Sequence, residues 1–296
     1  MELYGFMIYL KEEKKTADNT CEAYGRDLRA FDAFLQSREV RGLAEASETD
    51  VAAYLMELKK GGKSRATANR KLSSIRTFYK YLMKKGIIKL NPAEDIKSPR
   101  IERRDLDYLT IEEVEALLAA PDDSVKGIRD RAILEVMYAT GVRVSEIIEL
   151  KMSDANLRMG FLTLNGAHGR ARIVPMGTMA RRALDRYILN SRLLLMREKA
   201  SEDGSSPLFV NYMGEAFSRQ GFWKLIKQYG RQAGLEDKLT PHILRTSFAV
   251  HMVQNGADLK SLQELMGHED IMATQIYLSV TKNRIKDVYD RTHPRA

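Results

Sequence analysis

The chain of 296 residues has one cysteine, one tryptophan and only five histidines. No apolar run approaches the roughly 18 residues that a membrane helix needs. Cys21 cannot close an internal disulfide, and no second cysteine stands near it to build a thiolate zinc site. A reducing, cytoplasmic setting is therefore expected, with Cys21 as core. The first ten residues carry Glu2 and lack a basic leader, so no export signal is expected. With 7 prolines and 19 glycines, the chain is neither collagen-like nor a flexible low-complexity polymer. Hydrophobic residues at 44% and charged residues at 30% fit an ordinary folded protein, and the length suits two domains.

The net charge of +8 is modest, but its distribution is not. Residues 1–50 hold 7 basic and 11 acidic side chains, whereas residues 51–100 hold 13 and 3, a swing from −4 to +10. Within the basic block, residues 63–85 read as one helix. Leu72, Ile75, Tyr79 and Leu82 recur at three- and four-residue steps with Phe78 beside them, while Arg76, Lys80 and Lys84 form a separate stripe. One face packs and the other is cationic. A solvated face is the bland reading and DNA phosphate contact the sharper one, with Lys63, Arg65, Arg70, Arg76, Lys80 and Lys84 as the candidates.

The first hundred residues show helical periodicity without strand alternation, broken at Lys15–Asn19, Arg38–Ser47 and Gly61–Ser64. Pro92, Pro99 and the charged stretch that follows mark a linker over residues 101–107. This divides the chain into an all-helical domain, 1–100, and a second domain, 108–296. Thr110 and Glu113 form a capping box that opens a helix running to about Ala120. A further helix from about Ile128 stops at Gly141, and another starts near Ser145. Phe161–Leu164 and Arg170–Val174 flank a glycine-containing turn and read as a β-hairpin. The remainder returns to helical periodicity, with stops expected at Gly214, Gly234, Gly256 and Gly267. The fold class is thus mainly α with a small β-sheet.

Chemistry-bearing residues lie in four segments. Thr140-Gly141-Val142-Arg143-Val144-Ser145-Glu146 places an arginine on a tight turn, with a salt bridge to Glu146 as its plain alternative. Thr240-Pro241-His242-Ile243-Leu244-Arg245 sets an imidazole and a guanidinium three apart on one helix face, an arrangement that suits an anion. Leu265-Met266-Gly267-His268 ends a helix at glycine and presents a second imidazole. Tyr277 follows nine residues later, within Thr274-Gln275-Ile276-Tyr277.

These four motifs, with Asn19–Leu28, Asn91-Pro92-Ala93 and Tyr108-Leu109-Thr110 in support, resemble the tyrosine recombinase (phage integrase) family, most closely its Xer-type site-specific recombinases. The resemblance covers nearly the whole chain. It implies a helical core-binding (SAM-like) DNA-binding domain followed by a catalytic domain. It further implies catalysis by Arg143, His242, Arg245, His268 and Tyr277. Tyr277 attacks a DNA phosphorus, expels a 5′ hydroxyl and keeps a 3′ phosphotyrosine, so that neither metal nor cofactor is required. The implied partners are double-stranded DNA with a roughly palindromic core site and further copies of the chain, two per site and four in the synapse. Chromosome-dimer resolution is the implied role. A DNA-binding architectural protein with impaired cleavage and a mobile-element integrase are the alternatives.

In one place the chain departs from the pattern. Anchoring on Arg172-Ile173-Val174-Pro175 puts Ala167 where relatives carry a hairpin lysine that protonates the leaving oxygen, and His168 follows it. His168 or Arg170 then supplies the proton or field, or water does so slowly, or cleavage is weakened. His168 ranks first, because an imidazole titrates near 6.5 and a guanidinium does not release its proton. Arg170 and Arg172 join the expected DNA contacts. Val280, Ile285 and Val288 suggest a tail able to dock on a neighbouring copy.

Overall fold

The structure, a computed structural model, describes residues 2–98, 106–166, 171–196, 204–268 and 272–277. It forms two compact units, Met1–Arg104 and Asp105–Ala296.

The first unit consists of α1 (Glu2–Glu12), α2 (Asp18–Gln36), α3 (Glu48–Lys60) and α4 (Arg65–Lys84). Short polar residues set where the helices begin. Ser47 and Asp50 exchange hydrogen bonds in a capping box at α3, and the Ser64 hydroxyl accepts the Thr67 amide at α4. The apolar stripe expected on α4 is buried: Leu72, Ile75, Phe78, Tyr79 and Leu82 are sealed against Phe6, Leu28, Phe31 and Leu35. Cys21 lies in the same core. The Asp27 carboxylate is also buried, and it is satisfied by Arg70, by Lys71 Nζ at 3.1 Å and by Ser74. That cluster ties α2 to α4 across their polar seam.

The second unit begins with α5 (Ile111–Ala119), opened by the expected Thr110–Glu113 capping box. It continues with α6 (Val125–Thr140) and α7 (Val144–Glu149). An antiparallel three-stranded meander follows: β1 (Ala155–Asn156), β2 (Phe161–Asn165) and β3 (Ala171–Pro175). Phe161 pairs with Pro175 and Asn165 with Ala171, which turns Leu162, Leu164 and Val174 into the core. The chain then runs through α8 (Thr178–Tyr187), a wider π turn over Ile188–Arg192, α9 (Leu193–Met196), α10 (Arg219–Gln232), α11 (Pro241–Gln254), α12 (Leu259–Met266) and the short α13 (Met272–Gln275). Pro241 occupies the first turn of α11 behind its Thr240 cap.

Three expectations change. The helix expected from Ile128 starts at Val125, because the Ser124 hydroxyl caps it by accepting the Gly127 amide. Gly214 ends no helix. It sits at a positive φ of 77° in a tight turn closed by the bond from its amide to the Asn211 carbonyl. The hairpin strands each run one residue further than expected, to Asn165 and Pro175, and the turn residues 167–170 lie outside the described part. No helix among the described residues is long and apolar enough to cross a membrane.

Candidate active site

The site is assembled at the ends of α6, α11 and α12. α6 stops at Gly141, whose φ of 57° is left-handed and whose missing Cβ leaves room for the Phe248 ring. The chain reverses there and presents Arg143 at the cap of α7. The Arg143 amide donates to Glu146 Oε2 at 2.8 Å, Nη1 donates to Oε1 at 2.9 Å, and Nη2 donates to the Gly267 carbonyl at 2.8 Å. Gly267 closes α12 at φ 60°, again left-handed, and delivers His268 directly after it.

Arg245 is buried on α11 and links these pieces. Nη1 donates to the Gly141 carbonyl, and Nη2 donates to the Met266 carbonyl at 2.6 Å and to His268 Nε2 at 3.2 Å. A guanidinium can only donate, so His268 Nε2 accepts here. In the neutral ring the proton then sits on Nδ1, which lies 2.9 Å from the buried Thr274 Oγ1. Three of the five Arg245 N–H donors are thus spent among the described residues.

Tyr277 is buried against Phe248, Val250, Leu262 and Met266. Burial pushes its phenol pKa up, while the charges of Arg245 and Arg143 pull the other way. Burial, together with Arg143 and Arg172, lowers Arg245 to about 10. His268 falls to about 4, first through burial and then through the charges of Arg245, Arg143 and Arg172. For Glu146, burial opposes ionisation but is outweighed by the hydrogen bonds from Arg172 and the Arg143 amide and by both guanidinium charges, so its carboxyl stays below the usual range. The arrangement is a concentration of fixed cations beside one phenol, suited to hold a tetrahedral anion against an oxygen nucleophile.

Four of the expected side chains, Arg143, Arg245, His268 and Tyr277, thus meet through direct bonds or mutual electrostatic influence. His242 is exposed in the first turn of α11, three residues before Arg245. His168, Ala167 and Arg170 lie outside the described residues, as does the tail with Val280, Ile285 and Val288. Among the expected DNA contacts, Lys63, Arg65 and Lys80 are exposed. Arg70 is exposed but grips Asp27, and Lys84 pairs with Glu13 at 2.6 Å.

Arg76 and Arg172, also expected as DNA contacts, have partners within the protein. Arg76 points its guanidinium at the Ala93 carbonyl (2.9 Å), the Ile96 carbonyl and Ser98 Oγ, and so fastens the segment after α4. Arg172 forks onto Glu146 inside the site. Glu146 itself was legible only as a partner of Arg143, since its second arginine comes from a strand 26 residues away in sequence. Thr274 carried no signal beyond its place in the tyrosine motif.

The phage integrase family matches residues 107–284, and the N-terminal SAM-like domain of phage integrases matches residues 3–86. The tyrosine recombinase XerD of Oceanobacillus iheyensis is 41% identical over 292 residues, covering 98% of this chain and 97% of that protein. The site-specific recombinase XerH, solved in a post-cleavage complex with its palindromic difH substrate, shares the fold at a TM-score of 0.75 and 22% identity over 94% of this chain and 81% of that one. A lambda integrase dimer bound to a core site shares it at 0.69 and 18% identity, covering 93% of each chain. The chain belongs to the phage integrase family.

Proposed function

We propose that this chain is a site-specific tyrosine recombinase that cuts and rejoins DNA through a 3′-phosphotyrosyl intermediate and resolves chromosome dimers. The observation that carries the reading is the Tyr277 phenol held beside Arg245 and Arg143, with His268 bonded to Arg245. The Tyr277 oxygen attacks the scissile phosphorus, and the bond to the 5′ oxygen breaks as the new phosphoester forms. One ester replaces another, and reversal reseals the strand. The two guanidinium groups brace the non-bridging oxygens where charge is greatest, so loss of either costs about a hundredfold to a thousandfold in rate. His242 moves the phenol proton. An arriving phosphate offsets the cations around His268 and favours its protonated form, which donates from Nε2 to a phosphate oxygen.

Residues 1–100 form the core-binding domain, 101–107 the linker and 108–296 the catalytic domain. The partners are palindromic double-stranded DNA, as in the XerH complex, and a second copy per site, as in the lambda integrase dimer. Four copies meet in the synapse, in the cytoplasm. With Ala167 at the lysine position, His168 ranks ahead of Arg170 as the acid for the 5′ oxygen; slow protonation by water, or weakened cleavage, is the alternative. This position also favours the second reading, an architectural protein with impaired cleavage.

A nicked duplex carrying the site recovered from bound chromosomal fragments separates the two. Wild-type protein should leave a covalent band that Tyr277→Phe abolishes while DNA binding persists. Ala167→Lys should raise the yield. No band from wild type or from Ala167→Lys overturns the recombinase reading in favour of the architectural one.

A further inference from the structure

Each nitrogen of the Arg172 guanidinium is engaged inside the protein. Nε donates to the Leu265 carbonyl at 2.9 Å, Nη1 to Glu146 Oε1 at 2.6 Å and Nη2 to Glu146 Oε2 at 3.0 Å, with the side chain 12% exposed. Three parts of the site depend on this one group. Glu146 spends its other bonds on the amide and Nη1 of Arg143. Leu265 lies in the last turn of α12, three residues before His268. Gly267 lies so close that a Cβ there would stand 3.0 Å from the Arg172 guanidinium carbon, and its carbonyl receives Arg143.

Arg172 is also the tether to β3, the strand that follows the connection holding Ala167 and His168. Three of its five N–H donors are committed to a buried carboxylate and a helix carbonyl, and turning the group away from them removes a charge-assisted fork and leaves Glu146 poorly compensated. Lysine cannot replace it, since a single ammonium does not span both carboxylate oxygens and a carbonyl.

We propose that Arg172 is a positioning residue for strand cleavage: it locks Glu146 and the Leu265–His268 turn so that Arg143, Arg245 and His268 face one anion, and it fixes the β2–β3 hairpin to that assembly. The proposal deepens the recombinase reading and rests on it. It distinguishes Arg172 from a DNA-backbone contact, which would add affinity and salt dependence rather than geometry.

The test uses the full chain with Arg172→Met and Arg172→Lys, measured three ways. On a random-sequence duplex, both variants should keep the wild-type salt slope. On the nicked site described above, both should bind as wild type but form the covalent adduct about a hundredfold more slowly, as expected for a misplaced reacting group. In the free protein, titration of isotope-labelled His268 reads the cation field directly. The groups facing that ring are Arg245 from α11, Arg143 before α7 and Arg172 from β3, with Glu146 behind them. Its midpoint should rise in Arg172→Met, where the charge is gone, and stay low in Arg172→Lys.

A salt slope lowered by about 0.9, with affinity and rate falling together, would make Arg172 a phosphate ligand and overturn the proposal. So would adduct formation at the wild-type rate in Arg172→Lys, the variant that decides the matter should Arg172→Met not fold. Failure of the wild type to form adduct would sink the recombinase reading alone, leaving the His268 titration to judge the placement of Arg172.

Discussion

His268 titrates far below an ordinary imidazole, and that has a consequence for stability. In an unfolded chain the ring binds its proton near pH 6.5. In the folded chain, burial and three arginine charges delay protonation to about pH 4. The buried His251, whose Nδ1 lies 2.9 Å from the Tyr138 hydroxyl, is shifted in the same direction by burial. Between these limits the unfolded state holds protons that the folded state does not. The stability linked to His268 is therefore fully present above pH 6.5 and is lost progressively as the pH falls toward 4. Urea midpoints measured from pH 7 to pH 4 should show that decline, and His268→Gln should flatten it, because an amide can serve Thr274 and Arg245 without titrating. Superimposable curves for the two proteins would refute the assignment. The family resemblance implied a phosphate-binding role for His268 but said nothing of its protonation state. That depends on Arg172 and Arg143, which reach it from other segments, and no one-dimensional spacing reports their charge.

Helix ends place the reactive groups, and the end of α6 is the most constrained of them. Gly141 meets two requirements at once: a left-handed φ of 57°, and space for Phe248, whose Cδ1 would stand 2.3 Å from a Cβ at this position. An L residue in that conformation costs roughly 1–2 kcal/mol, and overpacking adds about 1–3 kcal/mol. Gly141→Ala should therefore destabilise the second unit by about 2–5 kcal/mol in urea unfolding. Combining it with Phe248→Leu should return the steric part but not the backbone part, so the two substitutions should be non-additive. Strict additivity would show that the ring is not the obstacle. The glycine stop here was legible because helix periodicity and a C-terminal glycine coincide, and the Thr110–Glu113 box was legible for the same local reason. β1 was not legible. Two residues, Ala155 and Asn156, are too few to alternate, and they become a strand only by pairing with Leu162 and Phe161. Gly214 was misread because a positive φ serves a tight turn as well as a helix end, and glycine alone does not distinguish them.

Each unit carries its own sealed core, one built around Phe31, Leu72 and Phe78 and the other around Leu134, Leu162 and Leu244. The apolar periodicity that revealed the packed face of α4 says nothing about whether a cation beside it is spoken for. Arg76 and Arg172, both expected as DNA contacts, have such partners: carbonyls at 93 and 96 for one, Glu146 for the other. The separation of cores predicts that residues 1–98 fold alone. The fragment should unfold cooperatively, with helical circular dichroism. Because residues 51–98, with 12 basic and 3 acidic side chains, fall within this fragment, it should also bind random duplex with a measurable salt slope. Lys63→Ala and Lys80→Ala, at exposed positions, should each lower that slope by about 0.9 if their ammonium groups displace counterions. Arg76→Ala should leave the slope intact and lower the thermal midpoint instead, since its bonds are internal. A slope that falls with Arg76→Ala and not with either lysine would reverse this division of labour, and would mean that the segment after α4 releases its arginine when DNA arrives.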